Sequence, residues 1–278
     1  MTEPTPRTVP PVKASCERGS YPSPMRRNKR SARIVVATLV ALTIYVVSRL
    51  SLKNYSGLGF DKNASSVNTI SGPLWYWAWI TAGFVGVLTF VLIMWPVVFH
   101  RKKGDEFPKQ TQYNVPVEIA YTLIPFIIVA GLFFYTARDE SKITKVDSYA
   151  TAPHNIHVNA QQWSWQFTYD DAGTGPNATV TGTPAQRPVL YMPLGQKVLF
   201  DITSSDVDHG FWIPDFMIQI QALPGVSNHL EFAATKLGTY PGRCNILCGR
   251  NHSQMLFTVK VVTPDQYQSY INTLKAAA

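Results

Sequence analysis

The stretch Tyr240-Pro-Gly-Arg-Cys-Asn-Ile-Leu-Cys-Gly-Arg-Asn-His-Ser-Gln-Met255 contains four side chains that bind soft metals. Cys244, Cys248, His252 and Met255 are spaced so that one tight loop can direct two thiolates, an imidazole and a thioether at one point. Such a soft ligand set suits copper better than calcium or magnesium. The stretch therefore predicts a copper site.

A second imidazole is needed to complete a site of this kind, and His209 is the best candidate. Two plainer interpretations compete with copper. Two cysteines and two histidines can hold structural zinc, and two cysteines outside the cytoplasm can form a disulfide. Neither requires a thioether three residues after the histidine, so Met255 favours copper.

These residues resemble a known family. The pattern Cys-x-x-x-Cys-Gly-x-x-His-x-x-Met, preceded by Tyr-x-Gly-x-Cys and a distant Asp-x-x-His, is similar to the binuclear copper A site of cytochrome c oxidase subunit II. The likeness extends over most of residues 70–275. It implies that two bridging cysteines share two coppers, and that the ligands are His209, Cys244, the backbone carbonyl of Ile246, Cys248, His252 and Met255.

Charge is distributed unevenly along the 278 residues, whose net charge is +8. Residues 1–33 carry eight Lys/Arg against two Glu, whereas residues 150–278 carry seven Lys/Arg against eight Asp/Glu. Nucleic-acid binding would place basic residues on a folded face, but here they flank apolar segments. The pattern indicates membrane topology and no nucleic-acid partner. With three cysteines there is no disulfide framework.

The first fifty residues form a leader. Residues 1–24 are rich in Pro, Ser and Thr, which predicts disorder. Met25 then opens a basic segment followed by an apolar run at 34–47, the pattern of a signal peptide. Two alternatives stay open: translation starts at Met25, or the run is an uncleaved, short first membrane helix.

Residues 51–137 are predicted to form a transmembrane hairpin. A polar loop over 51–73 precedes a first span at about 74–99, and a second span at about 115–136 is interrupted by Pro125. The positive cluster that starts at His100 should remain in the cytoplasm. Residues 138–278 then lie outside a bacterial plasma membrane, in a multi-pass protein embedded in the lipid bilayer.

Glu118 lies near the cytoplasmic start of the second span, in Pro-Val-Glu-Ile-Ala-Tyr-Thr-Leu-Ile-Pro. An ionisable group in a membrane segment is a functional candidate, although a carboxylate also favours a helix start through the helix dipole. The segment resembles the family's Pro-x-Glu-x-x-(aromatic)-Thr-x-x-Pro, with Tyr121 at the aromatic place. That likeness implies a proton-entry role for Glu118.

After Asp147 the chain changes to short β-rich runs between turns. Strands are predicted at 155–160, 163–169, 188–192, 197–203, 226–234 and 256–262. Evenly spaced strands without intervening helices suggest a Greek-key barrel or sandwich. The predicted fold is an α+β membrane protein: an N-terminal transmembrane helical hairpin followed by a cupredoxin-like Greek-key β-barrel. Thr263-Pro264 begins a final helix.

An aromatic stripe alternates along the second of these strands. Trp163, Trp165, Phe167 and Tyr169 fall on one face, which by itself predicts a core face. The stretch also resembles the family's Gln-Trp-x-Trp-x-aromatic-x-Tyr element. That resemblance implies that Trp163 lies exposed above the copper centre and receives electrons from cytochrome c.

The match departs from the family at the residue two after the first cysteine. The family usually has Glu there, which also binds magnesium shared with subunit I, whereas this chain has Ile246. The family's neighbouring Lys-x-Asp is replaced by Gln219-Ile-Gln221. An isoleucine side chain cannot bind magnesium, so the usual magnesium site is in doubt.

The resemblance implies subunit II of a proton-translocating cytochrome c oxidase, a non-autonomous part of the enzyme. It would pass electrons from cytochrome c to haem in subunit I, beside subunits I and III, with haems only in subunit I. The almost neutral external domain suggests a donor tethered in a supercomplex with a bc complex, because steering needs a net field. The alternative is a membrane-anchored Sco-type copper chaperone or thiol-redox protein, which predicts alternating helices and strands and one anchor.

Overall fold

Two long helices precede a domain of ten strands and a final helix. The computed structural model describes residues 63–100, 110–146, 153–173 and 178–276, together with Tyr45, Phe60, Gly104 and Phe107. Helix α1 spans Asn68–Phe99, α2 spans Val115–Ile143 and α3 spans Pro264–Ala276. The predicted leader and its apolar run lie, apart from Tyr45, outside the described residues.

Helices α1 and α2 are long and apolar enough to cross a membrane. Helix α1 begins six residues before the predicted span, so the loop prediction was wrong for residues 68–73. The predicted interruption at Pro125 was wrong, since α2 is continuous through this residue. A proline removes only one hydrogen bond from a long helix. Helix α2 also continues past the predicted domain boundary at 137–138, where Lys142 pairs with Asp139 at 3.3 Å.

The strands form two five-stranded sheets. Their bounds are β1 His154–Gln161, β2 Ser164–Tyr169, β3 Thr179–Thr181, β4 Val189–Pro193, β5 Lys197–Ser204, β6 His209–Ile213, β7 Ile218–Ala222, β8 Asn228–Ala233, β9 Gly238–Cys244 and β10 Leu256–Val262. The first sheet has the order β3-β2-β1-β5-β8, and the second has the order β4-β10-β9-β6-β7. The β1–β5 and β4–β10 pairs are parallel and the other pairs are antiparallel.

The predicted fold class is confirmed, and all six predicted strands are present as β1, β2, β4, β5, β8 and β10. Strands β3, β6, β7 and β9 were not predicted. Strand β9 contains Pro241 and Gly242, which disfavour a central strand. Pro241 is tolerated because its partner in β10, Thr258, makes no hydrogen bond to it. The Thr258 N–H instead donates to the Pro188 carbonyl next to β4, at 3.0 Å.

Aromatic side chains fill the space between the sheets. Trp165, Phe167 and Tyr169 of β2 are fully buried, as the alternation predicted. The rings of Phe211 and Phe257 stack at 5.0 Å, and Trp165 meets Phe257 edge-on at 5.3 Å. Each such ring contributes a large apolar area to the core. Strands β6, β9 and β10 are therefore held in place where the metal-binding side chains emerge.

A short segment before α1 ties that helix to the strand domain. Ser66 N–H donates to the Ala233 carbonyl at 2.9 Å, at the outer edge of β8. The hydroxyl of Ser65 donates to the Phe216 carbonyl at 2.9 Å, and the amide of Asn68 donates to the Asp215 carbonyl at 2.9 Å. This pairing covers the β8 edge, which would otherwise be open to another strand.

Helix α3, which begins at the predicted Thr263-Pro264, packs back on the domain. Thr263 Oγ1 accepts from Gln266 N–H at 3.3 Å, and Tyr267 and Ile271 are buried. The Tyr267 hydroxyl donates to Asp171 Oδ2 at 3.1 Å, and the same oxygen lies 2.6 Å from His154 Nδ1. This hydrogen bond to Asp171 raises the pKa of His154 above its usual value, against the opposing effect of burial.

We expect the His154–Asp171 contact to stabilise the domain in a pH-dependent way. Because the folded pKa of His154 is raised, its contribution is complete below the ordinary pKa of about 6.5 and is lost as the pH rises through the folded value. The midpoint of thermal unfolding of wild type should exceed that of His154→Gln most at about pH 5.5, and the gap should narrow by about pH 8.5. A gap that stays constant with pH would contradict this assignment.

Candidate metal centre

Four loops and strand ends meet at one end of the strand domain. His209 begins β6 and Cys244 ends β9, and these two strands pair at Phe211 and Cys244. The tight loop after Cys244 carries Cys248, and a short 3₁₀ turn at His252–Gln254 leads to Met255. The two unpredicted strands β6 and β9 thus position the histidine and the first cysteine.

The sulfur and nitrogen atoms of this loop cluster lie close together. The Sγ atoms of Cys244 and Cys248 are 3.8 Å apart, and Cys244 Sγ lies 3.8 Å from His209 Nδ1. Cys248 Sγ lies 3.5 Å from His252 Nδ1 and 3.8 Å from Met255 Sδ. The Ile246 carbonyl oxygen is 3.2 Å from Cys244 Sγ. All six residues predicted from the resemblance therefore meet at one place.

The distances argue against both the disulfide and the zinc alternatives. Both cysteines are free, and a sulfur–sulfur distance of 3.8 Å is not a disulfide bond. The Met255 side chain is fully buried with its sulfur turned toward Cys248, which a four-coordinate zinc site would not need. The donor set of two thiols, two imidazoles, a thioether and a carbonyl is the soft set that suits copper.

The surroundings of the two thiols shift their pKa values in opposite directions. Burial opposes ionisation of both, but the neighbouring His209 and backbone hydrogen bonds with Gly210 and Ile246 lower the pKa of Cys244. Burial, together with the negative charge of Cys244, raises the pKa of Cys248. One negative charge is therefore favoured on the pair, and a cation is needed before both sulfurs ionise.

Asp206 holds the buried imidazole in place. Its Oδ1 lies 2.8 Å from His209 Nε2, which leaves Nδ1 facing the sulfur of Cys244. The N–H of Gln162 donates to Oδ2 of Asp206 at 2.7 Å. Desolvation disfavours ionisation of Asp206, but the hydrogen bonds from Gln162, His209 and Val207 lower its pKa, so the carboxylate stays charged. Metal-binding histidines commonly have such a carboxylate partner.

Sequence reasoning gave no role to Asp206 or Gln162. Asp206 was visible as the first residue of the Asp-x-x-His pattern, so its spacing was an available signal. Gln162 also donates its side-chain amide to the Cys248 carbonyl at 2.8 Å, a contact between residues 86 positions apart. No local pattern could have identified that contact.

Trp163 lies beside the cysteine loop, half-buried, in the turn just before β2 and not within the strand as predicted. Its indole N–H donates to the Cys248 carbonyl at 3.1 Å. The ring is thus joined to a candidate ligand residue by one hydrogen bond while part of it still reaches solvent. Trp165 lies deeper, and its indole N–H donates to the Met255 carbonyl at 3.4 Å.

Glu118 does not belong to this cluster. It lies half-buried in the first turn of α2, and its Oε1 accepts the backbone N–H of Asn114 at 2.9 Å. This contact is a helix-start hydrogen bond, the structural alternative raised by the sequence.

Comparisons with known proteins identify the family. A family model described as "Cytochrome C oxidase subunit II, periplasmic domain" matches residues 154–262. The probable cytochrome c oxidase subunit 2 of Streptomyces avermitilis is 34% identical over 92% of this chain and 90% of its own length. The corresponding Streptomyces coelicolor protein is 32% identical with the same coverage of both chains.

A solved structure, the periplasmic domain of subunit II of the cytochrome oxidase of Bradyrhizobium japonicum, is 28% identical, with a TM-score of 0.42. It covers 46% of this chain and 96% of its own. The Sco-type alternative predicted one anchor and alternating helices and strands, whereas the described part of the chain has two long helices before ten strands. By its likeness to the Streptomyces proteins over nearly its full length, the chain belongs to the cytochrome c oxidase subunit II family.

Proposed function

We propose that this subunit binds a binuclear copper A centre through Cys244, Cys248, His209, His252, Met255 and the Ile246 carbonyl. The observation that carries the proposal is the convergence of both thiols with His209, whose ligand atoms all lie within 4.8 Å of one another. Copper bound there would supply a one-electron redox couple between the electron donor and the haem of subunit I.

The protein's own contribution is a stiff and largely dry setting for that ligand set. Cys244, Cys248, His209 and Met255 are buried, and Trp165 packs edge-on to His209 at 6.3 Å between ring centroids. Rigid packing keeps each donor atom in place when the charge of the site changes. Little reorganisation then accompanies electron transfer, which favours speed.

Trp163 is proposed as the residue through which electrons enter. Support comes from its position, because a partly exposed indole joined to the Cys248 carbonyl connects the surface to a ligand residue by one hydrogen bond. The donor is proposed to be a cytochrome c held in a supercomplex with a bc complex, because the external domain has almost no net charge with which to steer a free one.

Glu118 is proposed to stand at the entrance of a proton path into subunit I. Its carboxylate is half-buried in the first turn of α2, a helix otherwise dominated by apolar residues. Subunits I and III would cover the apolar faces of α1 and α2 within a bacterial plasma membrane, with the strand domain on the external side.

A magnesium ion held as in the family is not proposed, because Ile246 offers only its backbone carbonyl.

Copper retention tests the site. The purified oxidase should show the purple, mixed-valence, two-copper absorption and electron paramagnetic resonance (EPR) spectrum. Asp206→Asn should weaken copper retention by about 10- to 100-fold, because the His209 ring loses its charged partner. Asp208→Asn removes the same charge from an exposed neighbour and should retain copper normally. A zinc-containing or one-copper protein would overturn the proposal.

Electron entry is tested with Trp163→Phe. This variant should keep the copper spectrum but slow reduction by cytochrome c several-fold, since the indole N–H to Cys248 is lost. The matched control is Trp212→Phe, which changes a partly exposed tryptophan whose ring lies under the Arg243 guanidinium. In this variant cytochrome c should reduce the copper at the wild-type rate. Equal rates in both variants would assign Trp163 a packing role alone.

The proton role is tested with Glu118→Gln. Glutamine can still accept the Asn114 N–H, so the start of α2 should be preserved while the titrating group is lost. Steady-state oxygen consumption should fall, while the rate of copper reduction by the donor stays unchanged. Glu140→Gln, an exposed glutamate of the same helix, should have no effect. Unchanged turnover in Glu118→Gln would leave the carboxylate as a helix cap only.

A further inference from the structure

The outward face of the first sheet carries a row of imidazole and carboxylate side chains. None of them belongs to the sulfur-rich cluster. His157 of β1 is in register with Asp201 of β5, and Asp201 is in register with His229 of β8. Side chains in register on adjacent strands point to the same side of a sheet. The row therefore places one carboxylate between two imidazoles.

The distances within the row are close to those between ligands of one metal ion. His157 Nδ1 lies 3.0 Å from Asp201 Oδ2, and His229 Nδ1 lies 3.8 Å from Asp201 Oδ1. Around a tetrahedral zinc ion, whose bonds to nitrogen and oxygen are about 2.0–2.2 Å, neighbouring ligand atoms are roughly 3.3 Å apart. Asp201 separates the two imidazoles, so both rings must rotate toward a common point for all three groups to bind one ion.

Asp170 supplies the outer partner that metal-binding histidines usually have. Its Oδ1 lies 3.0 Å from Nε2 of His157, on the opposite side of the ring from Asp201. When Nε2–H donates to Asp170, Nδ1 presents a lone pair to the Asp201 carboxylate. A metal ion bound to Nδ1 would leave this Nε2–H hydrogen bond to Asp170 in place. Carboxylate–histidine–metal arrangements have this form.

The carboxylate at the centre of the row is itself oriented. The Ser227 hydroxyl donates to Asp201 Oδ1. The side chains of His157 and Asp170 are 46% and 45% exposed to solvent. Those of Asp201 and His229 are 30% and 29% exposed. Solvent therefore reaches the row, although Nδ1 of His229 is itself buried.

We propose that His157, Asp201 and His229 form a second metal site on this sheet face, with Asp170 orienting His157. Two imidazoles and a carboxylate are ligands of borderline softness, which suit Zn²⁺ among the common divalent ions and differ from the thiolate–thioether set near Met255. The site ties together β1, β5 and β8. It is independent of the copper proposal, because it shares no residue with that cluster.

Zinc binding to the copper-loaded, assembled oxidase tests the proposal. After exchangeable ions have been removed with a chelator, the enzyme is titrated with Zn²⁺ against a competing chelator, and bound zinc is counted by atomic absorption. Wild type should hold one Zn²⁺ per subunit II that His157→Ala and His229→Ala lack. Asp170→Asn should weaken that binding by about 10- to 100-fold.

The matched control is His100→Ala, which removes an exposed histidine at the end of α1 and should leave zinc binding at the wild-type level. The copper spectrum reports folding and should be unchanged in every variant. The proposal is overturned if wild type binds no more zinc than His157→Ala. It is equally overturned if Asp170→Asn binds as tightly as wild type.

Discussion

The pairing of the buried His209 imidazole with the partly exposed Asp206 carboxylate is the contact on which the metal centre depends. Asp206 is the carboxylate partner of Nε2 of the fully buried His209 ring. The same carboxylate accepts the backbone N–H of Gln162, at the turn between β1 and β2. One charged group therefore joins the first sheet to the strand that carries the histidine. Polar groups removed from water need such partners, because leaving one unpaired costs more than the pair stabilises.

The aromatic core and the metal centre form one continuous packing unit. Trp165 contacts Phe257 within the core and His209 at its upper end, and its indole N–H reaches the Met255 carbonyl. A change in the core would therefore move the ligands, because close-packed interiors transmit displacement. The loop between Cys244 and Met255 has no regular structure beyond one short turn, and its precision comes from these contacts.

The two outward faces of the strand domain differ in chemistry. The strands of the second sheet contain no Asp or Glu, and Arg243 and Lys260 lie on its outer side. The outer side of the first sheet carries Asp201 and Glu231 together with Lys197, His157 and His229. The nearly neutral total of the domain thus hides an uneven distribution.

Much of this protein was determined by local sequence. Hydrophobic length predicted two long helices, alternation predicted six strands, and the spacing from Cys244 to Met255 predicted a soft-metal loop. Tertiary structure alone decided that β6 and β9 exist, because glycine and Pro241 weaken their local signal while pairing with neighbours restores it. It also decided the roles of Asp206 and Gln162 and the row His157–Asp201–His229, since contacts between residues far apart in sequence arise only when the strands take their register.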